Sequence, residues 1–339
     1  MKCLRLIIGT IILFFVPTVS LSNNRCLLIG IGHYPLGSGW NTISSTNDIK
    51  LLETTLSDKF QVYTLIDEQA TKKGIEDAID KLINVSDAGD TILIHFSCHG
   101  QQVLTSDKNE PDNLDESLIP YDAQCAKSKT YIGQNHLLDN EFGKIIFPLR
   151  KKLGNKGLLV ITLDACFSDS MNKGSNNDNS GIYRGGADIF GSNEISQDSL
   201  RVIEKKRRNQ GFGPDVEKMR DGADILILSA CRTYQKNMEV VENGVGYGSL
   251  SYAMFLTFRT KNFSDIAGWL KGVLSQMSKI AFAQTPQYRT TLSIELVPSP
   301  PPSLPPSPPK CYAYIHYILV GTLALLLIIV ILIWKKKKI

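Results

Sequence analysis

The chain has 339 residues, 43% hydrophobic and 21% charged, with a formal net charge of +4. That is ordinary globular composition, with length for one large domain or two small ones. The positive charge comes from the ends: Lys2, Arg5, Lys310 and Lys335 to Lys338 are seven of the 37 basic residues, and neither end carries Asp or Glu, so the body holds 30 basic against 33 acidic residues, a balance of −3. Such a body has no polyanion-binding signature, and no nucleic-acid partner is expected.

In chain order, residues 1–22 read as a secretory signal: Lys2 and Arg5, the apolar run Leu6 to Val16, then small residues around Ser20 and Ser22. Arg25 to Gly32 is an apolar run closed by glycines, which predicts a central strand. Thr46-Asn47-Asp48 precedes Ile49, Leu52 and Leu56 at helical spacing, so Asp48 reads first as part of a helix cap. Gln61 to Leu65 predicts a short strand, Thr71 to Asn84 an amphipathic helix, and Thr91 to Ser97 a buried strand running on to Cys98, His99 and Gly100. Strands alternating with helices predict βαβ units and a parallel sheet.

Gln101 to Ile132 reads as a polar, acidic loop, and Leu138 to Leu149 as a helix. Leu158 to Asp164 is a β-branched, apolar run that ends in Asp164-Ala165-Cys166. Periodicity is lost from Phe167 to about Gly222. Asp224 to Ala230 predicts another buried strand, Ser249 to Phe258 and Ile266 to Met277 two helices, and Thr290 to Val297 a last strand. Residues 298–311 form a Pro/Ser spacer of polyproline character. Residues 312–334 hold the uncharged run Ile318 to Ile333 between tyrosines and Trp334, and 335–339 is a Lys-rich tail. This predicts one membrane span with the tail cytoplasmic and the rest extracytoplasmic, which makes a lipid membrane a partner. A bacterial inner membrane and a eukaryotic secretory membrane both suit the pattern.

No P-loop, GxGxxG, HExxH or CxxC occurs. Two apolar strands ending in His99 and Cys166 suggest a thiol–imidazole pair, with Cys166 as nucleophile, His99 as base and the amides of Gly100 and Cys166 as oxyanion donors. Each residue also has a bland reading, as a packed thiol or a hydrogen-bonded structural histidine. Ser229-Ala230-Cys231-Arg232 ends a strand in the same way, and strand topology alone does not choose between Cys166 and Cys231. A zinc reading of His95, Cys98 and His99 is disfavoured, because on a strand Cys98 faces away from the two histidines.

The order of these segments resembles the caspase–metacaspase family of clan CD cysteine peptidases. Arg25 to Ile31 resembles the family's first strand, Asn47-Asp48 its first helix opening, and Ser97-Cys98-His99-Gly100 the segment of its catalytic His. Asp112 to Asp122 resembles its acidic segment, Asp164 to Ser168 its nucleophile motif, and Gln284 to Gln287 its QTPQ. The resemblance implies an α/β caspase-like three-layer sandwich, parallel except for an edge, over 23–297. Its large portion would be 23–170, its linker 171–222 and its small portion 223–297. It assigns Cys166 as nucleophile over Cys231. It implies an S1 pocket of Asp48, Ser97 and Asp164, hence protein or peptide substrates with a basic P1 residue. Phe167, Cys98 and Asp169 depart from the family pattern.

Family resemblance also implies that no cofactor is required, with calcium as a possible ligand of Asp112, Asp115, Glu116 and Asp139; a solvated acidic loop is the competing reading. The function expected is a membrane-anchored cysteine endopeptidase that cuts after Arg or Lys. The linker holds Lys173, Arg184, Lys205, Lys206, Arg207 and Arg208, so self-processing is expected there. The alternative is a catalytically inactive caspase-like binding module, supported by Phe167 and Asp169.

Overall fold

The structure is a computed structural model that describes residues 23–106, 112–167, 182–185, 188–206, 212–213, 216, 221–233 and 235–294. The expected signal, spacer, span and tail lie outside these residues. Among the described residues, no helix is long and apolar enough to cross a membrane.

Six strands form the central sheet. They are β1 (Asn24–Gly30), β2 (Gln61–Ile66), β3 (Thr91–Ser97), β7 (Leu158–Asp164), β8 (Asp224–Ser229) and β11 (Gln287–Thr290), in the order β11-β8-β7-β3-β1-β2. All pairs are parallel except β11–β8, which is antiparallel at the edge. Strands β1, β3 and β7 are buried almost end to end, which is why they read as continuous apolar runs. Helices α2 (Lys72–Val85) and α3 (Asp139–Leu153) pack on one face, and α1 (Ser45–Leu56), α5 (Ser249–Phe258) and α6 (Ile266–Ile280) on the other.

The period of two sorts the strand residues between these layers. Ile94, Phe96, Cys98, Ile161, Leu163 and Ala165 belong to the apolar core that also includes Ile75 and Ile79 of α2 and Phe142 and Ile146 of α3. His95, Ser97, Thr162 and Asp164 alternate with them and so face α1 and α5. The register places His95 opposite Thr162 and Ser97 opposite Asp164. Fully buried polar residues therefore gather on one face, at the carboxyl end of the two central strands, where open α/β sheets place their sites.

Several expectations need correction. The first helix begins at Ser45, with Ser44 in the N-cap position, so Asp48 is not a cap; it lies in the first turn, fully buried. The supposed loop after Gly100 contains β4 (Gly100–Leu104) and β5 (Leu114–Leu118), which pair with β6 (Leu137–Leu138). The aperiodic stretch after Phe167 contains α4 (Gln197–Lys206). Strands β9 (Glu239–Glu242) and β10 (Val245–Gly248) form a hairpin whose Asn243-Gly244 turn has φ of 50° and 79°. The last strand lies at Gln287–Thr290, earlier than expected, because it pairs with β8 from Leu226 to Ser229.

Phe167 is a core residue. It is 3% exposed and stacks on Phe212 with ring centroids 5.5 Å apart.

His136, beside the small sheet, is buried between Gln101 Oε1 (2.9 Å) and Tyr131 OH (2.8 Å). Burial, and then Lys72, push its pKa down to about 4. A folded-state value below the unfolded value of about 6.5 gives stability that is present above the latter and lost as pH falls toward the former. His136→Gln is expected to be less stable than wild type at pH 7.5. Acidification to pH 5 should cost the wild type about 2 kcal/mol that the variant is spared. Urea unfolding at both pH values measures that gap, and a gap that stays constant contradicts the assignment.

Candidate active site

The site is built where β3 and β7 end. Immediately after β3, the His99 ring is 2% exposed, stacked on Trp40 (centroids 5.0 Å apart) and tilted against Tyr34 (5.4 Å). Its Nε2 lies 2.8 Å from the carbonyl oxygen of Asn41. A carbonyl only accepts, so in the neutral ring Nε2 carries the proton and Nδ1 keeps its lone pair. Among the described residues, Nδ1 has no hydrogen-bond partner, and it is buried. Burial holds His99 at about 4, against the opposing pull of the Asn41 contact, so the ring is neutral near pH 7. That is the state a general base requires.

After β7, Cys166 is fully buried, and its thiol donates to Gln235 O at 3.1 Å. The two strand ends touch: a Cβ at Gly100 would lie 2.6 Å from Cys166 O. Both candidate oxyanion donors are engaged by a single oxygen. The amide of Cys166 donates to Arg184 O at 2.9 Å and that of Gly100 at 3.3 Å.

Residues 182–185 cross the strand ends as an added extended segment. Arg184 N donates to Asn237 O (3.1 Å), and Glu239 N to Ile182 O (3.1 Å). The Arg184 side chain is fully buried. Its Nη2 lies 2.8 Å from Asp48 Oδ2 and 3.0 Å from Glu239 Oε1. Its Nη1 donates to Ser97 Oγ at 2.5 Å and lies 3.9 Å from Asp164 Oδ1. The structure thus brings Asp48, Ser97 and Asp164 together around one guanidinium.

The carboxylates are themselves held. Asp164 accepts from Asn237 Nδ2 (2.7 Å), Ser251 N (2.7 Å) and Ser251 Oγ (2.6 Å). Burial alone would raise its pKa, but Arg184 and these donors outweigh burial and hold it below the usual range. Asp48 accepts from Ser97 Oγ (2.7 Å) and Gly248 N (2.9 Å), yet burial, only partly offset by Arg184, pushes it up to about 6. Gly248 and Ser251 open α5, so a helix N-terminus faces both acids. Arg184 stays protonated because three carboxylates outweigh the cost of burying it.

Comparison with known proteins identifies the family and the fold. The family profile described as the caspase domain matches residues 23–297. The chain belongs to the caspase-domain family. It is similar to Metacaspase-1 of Eremothecium gossypii, at 24% identity over 303 residues, covering 78% of this chain and 63% of the relative. Metacaspase-1 of Schizosaccharomyces pombe is 25% identical over 246 residues, covering 67% and 55%. The chain therefore spans little more than half of these relatives' length. A crystal structure of protein GSU0716 from Geobacter sulfurreducens shares the fold, with TM-score 0.54 and 19% identity over 79% of this chain and 93% of that one.

Within this caspase domain, Glu239 joins the cluster around Arg184, and sequence reasoning missed it. It is 3% exposed in its side chain and also accepts from Ser44 N (2.6 Å) and Ser44 Oγ (2.7 Å). The one sequence signal for it was Asn243-Gly244, the hairpin turn that positions β9. Gly248 was missed as well. A Cβ there would fall 2.1 Å from Asp164 Oδ2 and 2.6 Å from Arg184 Nη1. Gly248→Ala is expected to displace the pocket acids and lower turnover of an arginyl reporter peptide by about 10²-fold, the scale of a misplaced binding group. Steady-state kinetics with unchanged circular dichroism would check it.

The caspase domain does not assemble the four acids expected to hold calcium. Asp115 is pushed up to about 8, by burial first and then by Asp139, and accepts from Asn140 Nδ2 at 3.3 Å. Glu116, next along β5, instead accepts from Gln102 Nε2 at 3.3 Å, and Asp112 accepts from Leu114 N. Among the described residues, no group of three His, Cys, Asp or Glu could hold a metal ion. Of the four, Asp115 and Asp139 interact with each other, and a calcium held there would take most of its six to eight oxygens from carbonyls or water. His95 bonds Thr162 Oγ1 (2.8 Å) and Ser251 Oγ (3.1 Å), as a structural histidine does. Asp169 lies outside the described residues.

Proposed function

We propose that this domain is a cysteine endopeptidase that cuts after Arg or Lys, and that its own linker is a substrate. The observation that carries this reading is Arg184: a buried guanidinium among Asp48, Asp164 and Glu239, with its carbonyl oxygen on the amides of Gly100 and Cys166. In this reading, His99 Nδ1 takes the thiol proton, and the Cys166 sulfur attacks the carbonyl carbon. The two amides receive the oxyanion. His99 returns the proton to the leaving amine, and water then hydrolyses the thioester. The three acids favour a cationic P1 side chain, Arg above Lys because a guanidinium fork reaches several carboxylates at once.

A second reading, a caspase-like module without catalysis, draws on the same contacts: the site is filled by its own chain, and the Cys166 thiol is turned to Gln235 O. Hydrolysis of reporter peptides with Arg, Lys or Asp at P1 separates the two. Arginyl hydrolysis lost in Cys166→Ala and retained in Cys231→Ala supports the peptidase; no hydrolysis in wild type supports the module.

Membrane anchoring, with the peptidase domain extracytoplasmic and the Lys-rich tail cytoplasmic, belongs to the same proposal and rests on the sequence of both ends. Protease protection of sealed vesicles tests it, since digestion of the domain from the cytoplasmic side overturns the orientation.

A further inference from the structure

The two cysteines that compete for the nucleophile's role in the sequence are neighbours in space. Strands β7 and β8 pair in parallel, with Leu163 opposite Ser229, and Ala230 N donates to Leu163 O at 3.0 Å. Cys166 and Cys231 each follow two residues after the end of these strands. Both thiols donate to one oxygen, the carbonyl of Gln235, at 3.1 and 3.3 Å. Two sulfurs on one acceptor are confined to a single small patch. The neighbouring Cys166 thiol, ahead of burial, pushes the Cys231 thiol up.

The acceptor is itself clamped. Gln235 Oε1 accepts from Arg232 N (3.2 Å) and from Thr285 N (3.0 Å). The other described cysteines stand apart: Cys26 and Cys98 are packed in the core, Cys98 pushed up to about 12 by burial, and Cys125 is half-buried. None of the five is in a disulfide. The peptidase mechanism has no use for a second thiol beside the first.

We infer that Cys166 and Cys231 form a modification site for hydroperoxides, in which Cys231 resolves oxidised Cys166 as a reversible disulfide. The Cys166 sulfur attacks one oxygen of hydrogen peroxide and the O–O bond breaks. Cys166 becomes a sulfenic acid, and the departing hydroxide leaves as water with the thiol proton. The Cys231 sulfur then attacks the sulfenic sulfur. The S–S bond forms, the S–O bond breaks, and the hydroxide leaves as a second water with the Cys231 proton. One peroxide and two thiols give one disulfide and two waters. The disulfide removes the nucleophile, and a thiol reductant restores it before oxidation proceeds to the irreversible acids. This last consequence rests on the peptidase reading of Cys166; the bond itself does not.

The test treats the purified full chain with hydrogen peroxide, blocks remaining thiols with maleimide, and maps peptides by mass spectrometry without reductant. The expected result is a peptide linking Cys166 to Cys231 that disappears with dithiothreitol. In Cys231→Ser, the same dose should give several-fold more sulfinic and sulfonic acid at Cys166. No such link in wild type, a link from Cys166 to another cysteine, or equal over-oxidation in both proteins overturns the inference. A Cys166–Cys231 link that leaves arginyl-reporter hydrolysis undiminished would uphold the pair and remove the catalytic reading. Absence of the link, with hydrolysis lost in Cys166→Ala, would do the reverse.

Discussion

Purified wild-type chain is expected to split into two fragments, the second beginning at Gly185. Arg184 presents its carbonyl to both oxyanion donors and its side chain to the acidic pocket within one molecule. Cleavage should therefore be first order, with a half-time independent of protein concentration, because the encounter is already made. Cys166→Ala should remain one chain, its cleavage rate lowered on the order of 10⁴-fold or more, the scale seen when a nucleophile is removed. Arg184→Glu should also stay intact at this bond, since it places a fourth carboxylate among three. Arg184→Lys should be cut more slowly, as an ammonium lacks the fork that reaches two acids from one nitrogen and a hydroxyl from the other. N-terminal sequencing of the fragments against time decides the matter. A wild-type chain that stays whole, or fragments that begin elsewhere, would defeat the prediction.

Neutralising a pocket acid should produce the next largest loss. Asp48 is fully buried and receives Ser97 Oγ, Gly248 N and the Arg184 guanidinium. Removing one partner of a buried, hydrogen-bonded charge pair costs about 2–5 kcal/mol, which is roughly 30- to 5,000-fold in kcat/KM for an arginyl reporter. Asp48→Asn is expected within that range. Glu239→Gln should fall at its lower end, because its carboxylate is shared with Ser44. Hydrolysis of an Asp-P1 reporter should stay negligible in both. Equal kcat/KM in Asp48→Asn and wild type would mean that the pocket does not read the P1 charge.

How much of this was legible in the sequence differs by element. Strands β1, β3, β7 and β8 were readable because both faces are buried, leaving apolar runs that few other structures produce. Strands β4 and β5 were hidden by their own chemistry: Asp115, Glu116 and Ser117 are buried polar residues, and a segment of that composition reads as a solvated loop. The β9–β10 hairpin is short and half-exposed, so only its Asn-Gly turn marked it. His99 and Cys166 could be placed at strand ends from the residues, but choosing Cys166 over Cys231 needed the family resemblance. Asp48, Ser97 and Asp164 came from that resemblance too. Their convergence depends on the period of two in β3 and β7 and on α1 crossing above them. Glu239 had no signature beyond that turn, since a glutamate on a short strand is ordinarily a surface charge. Only the guanidinium of Arg184 reveals its role.

That guanidinium is also the counterion of the pocket. While Arg184 is in place, three buried acids share one cation. Once the cut chain withdraws it, the same acids keep their neutral donors but lose their cation, in an interior that tolerates unpaired charge poorly. The processed form should therefore melt below the unprocessed one, and small guanidinium compounds should recover the difference by binding the folded state alone. Thermal unfolding of cut and uncut protein, with and without such a compound, measures this directly. Activation would then start a clock: the enzyme lasts while basic substrate keeps its pocket filled, and runs down when substrate is exhausted.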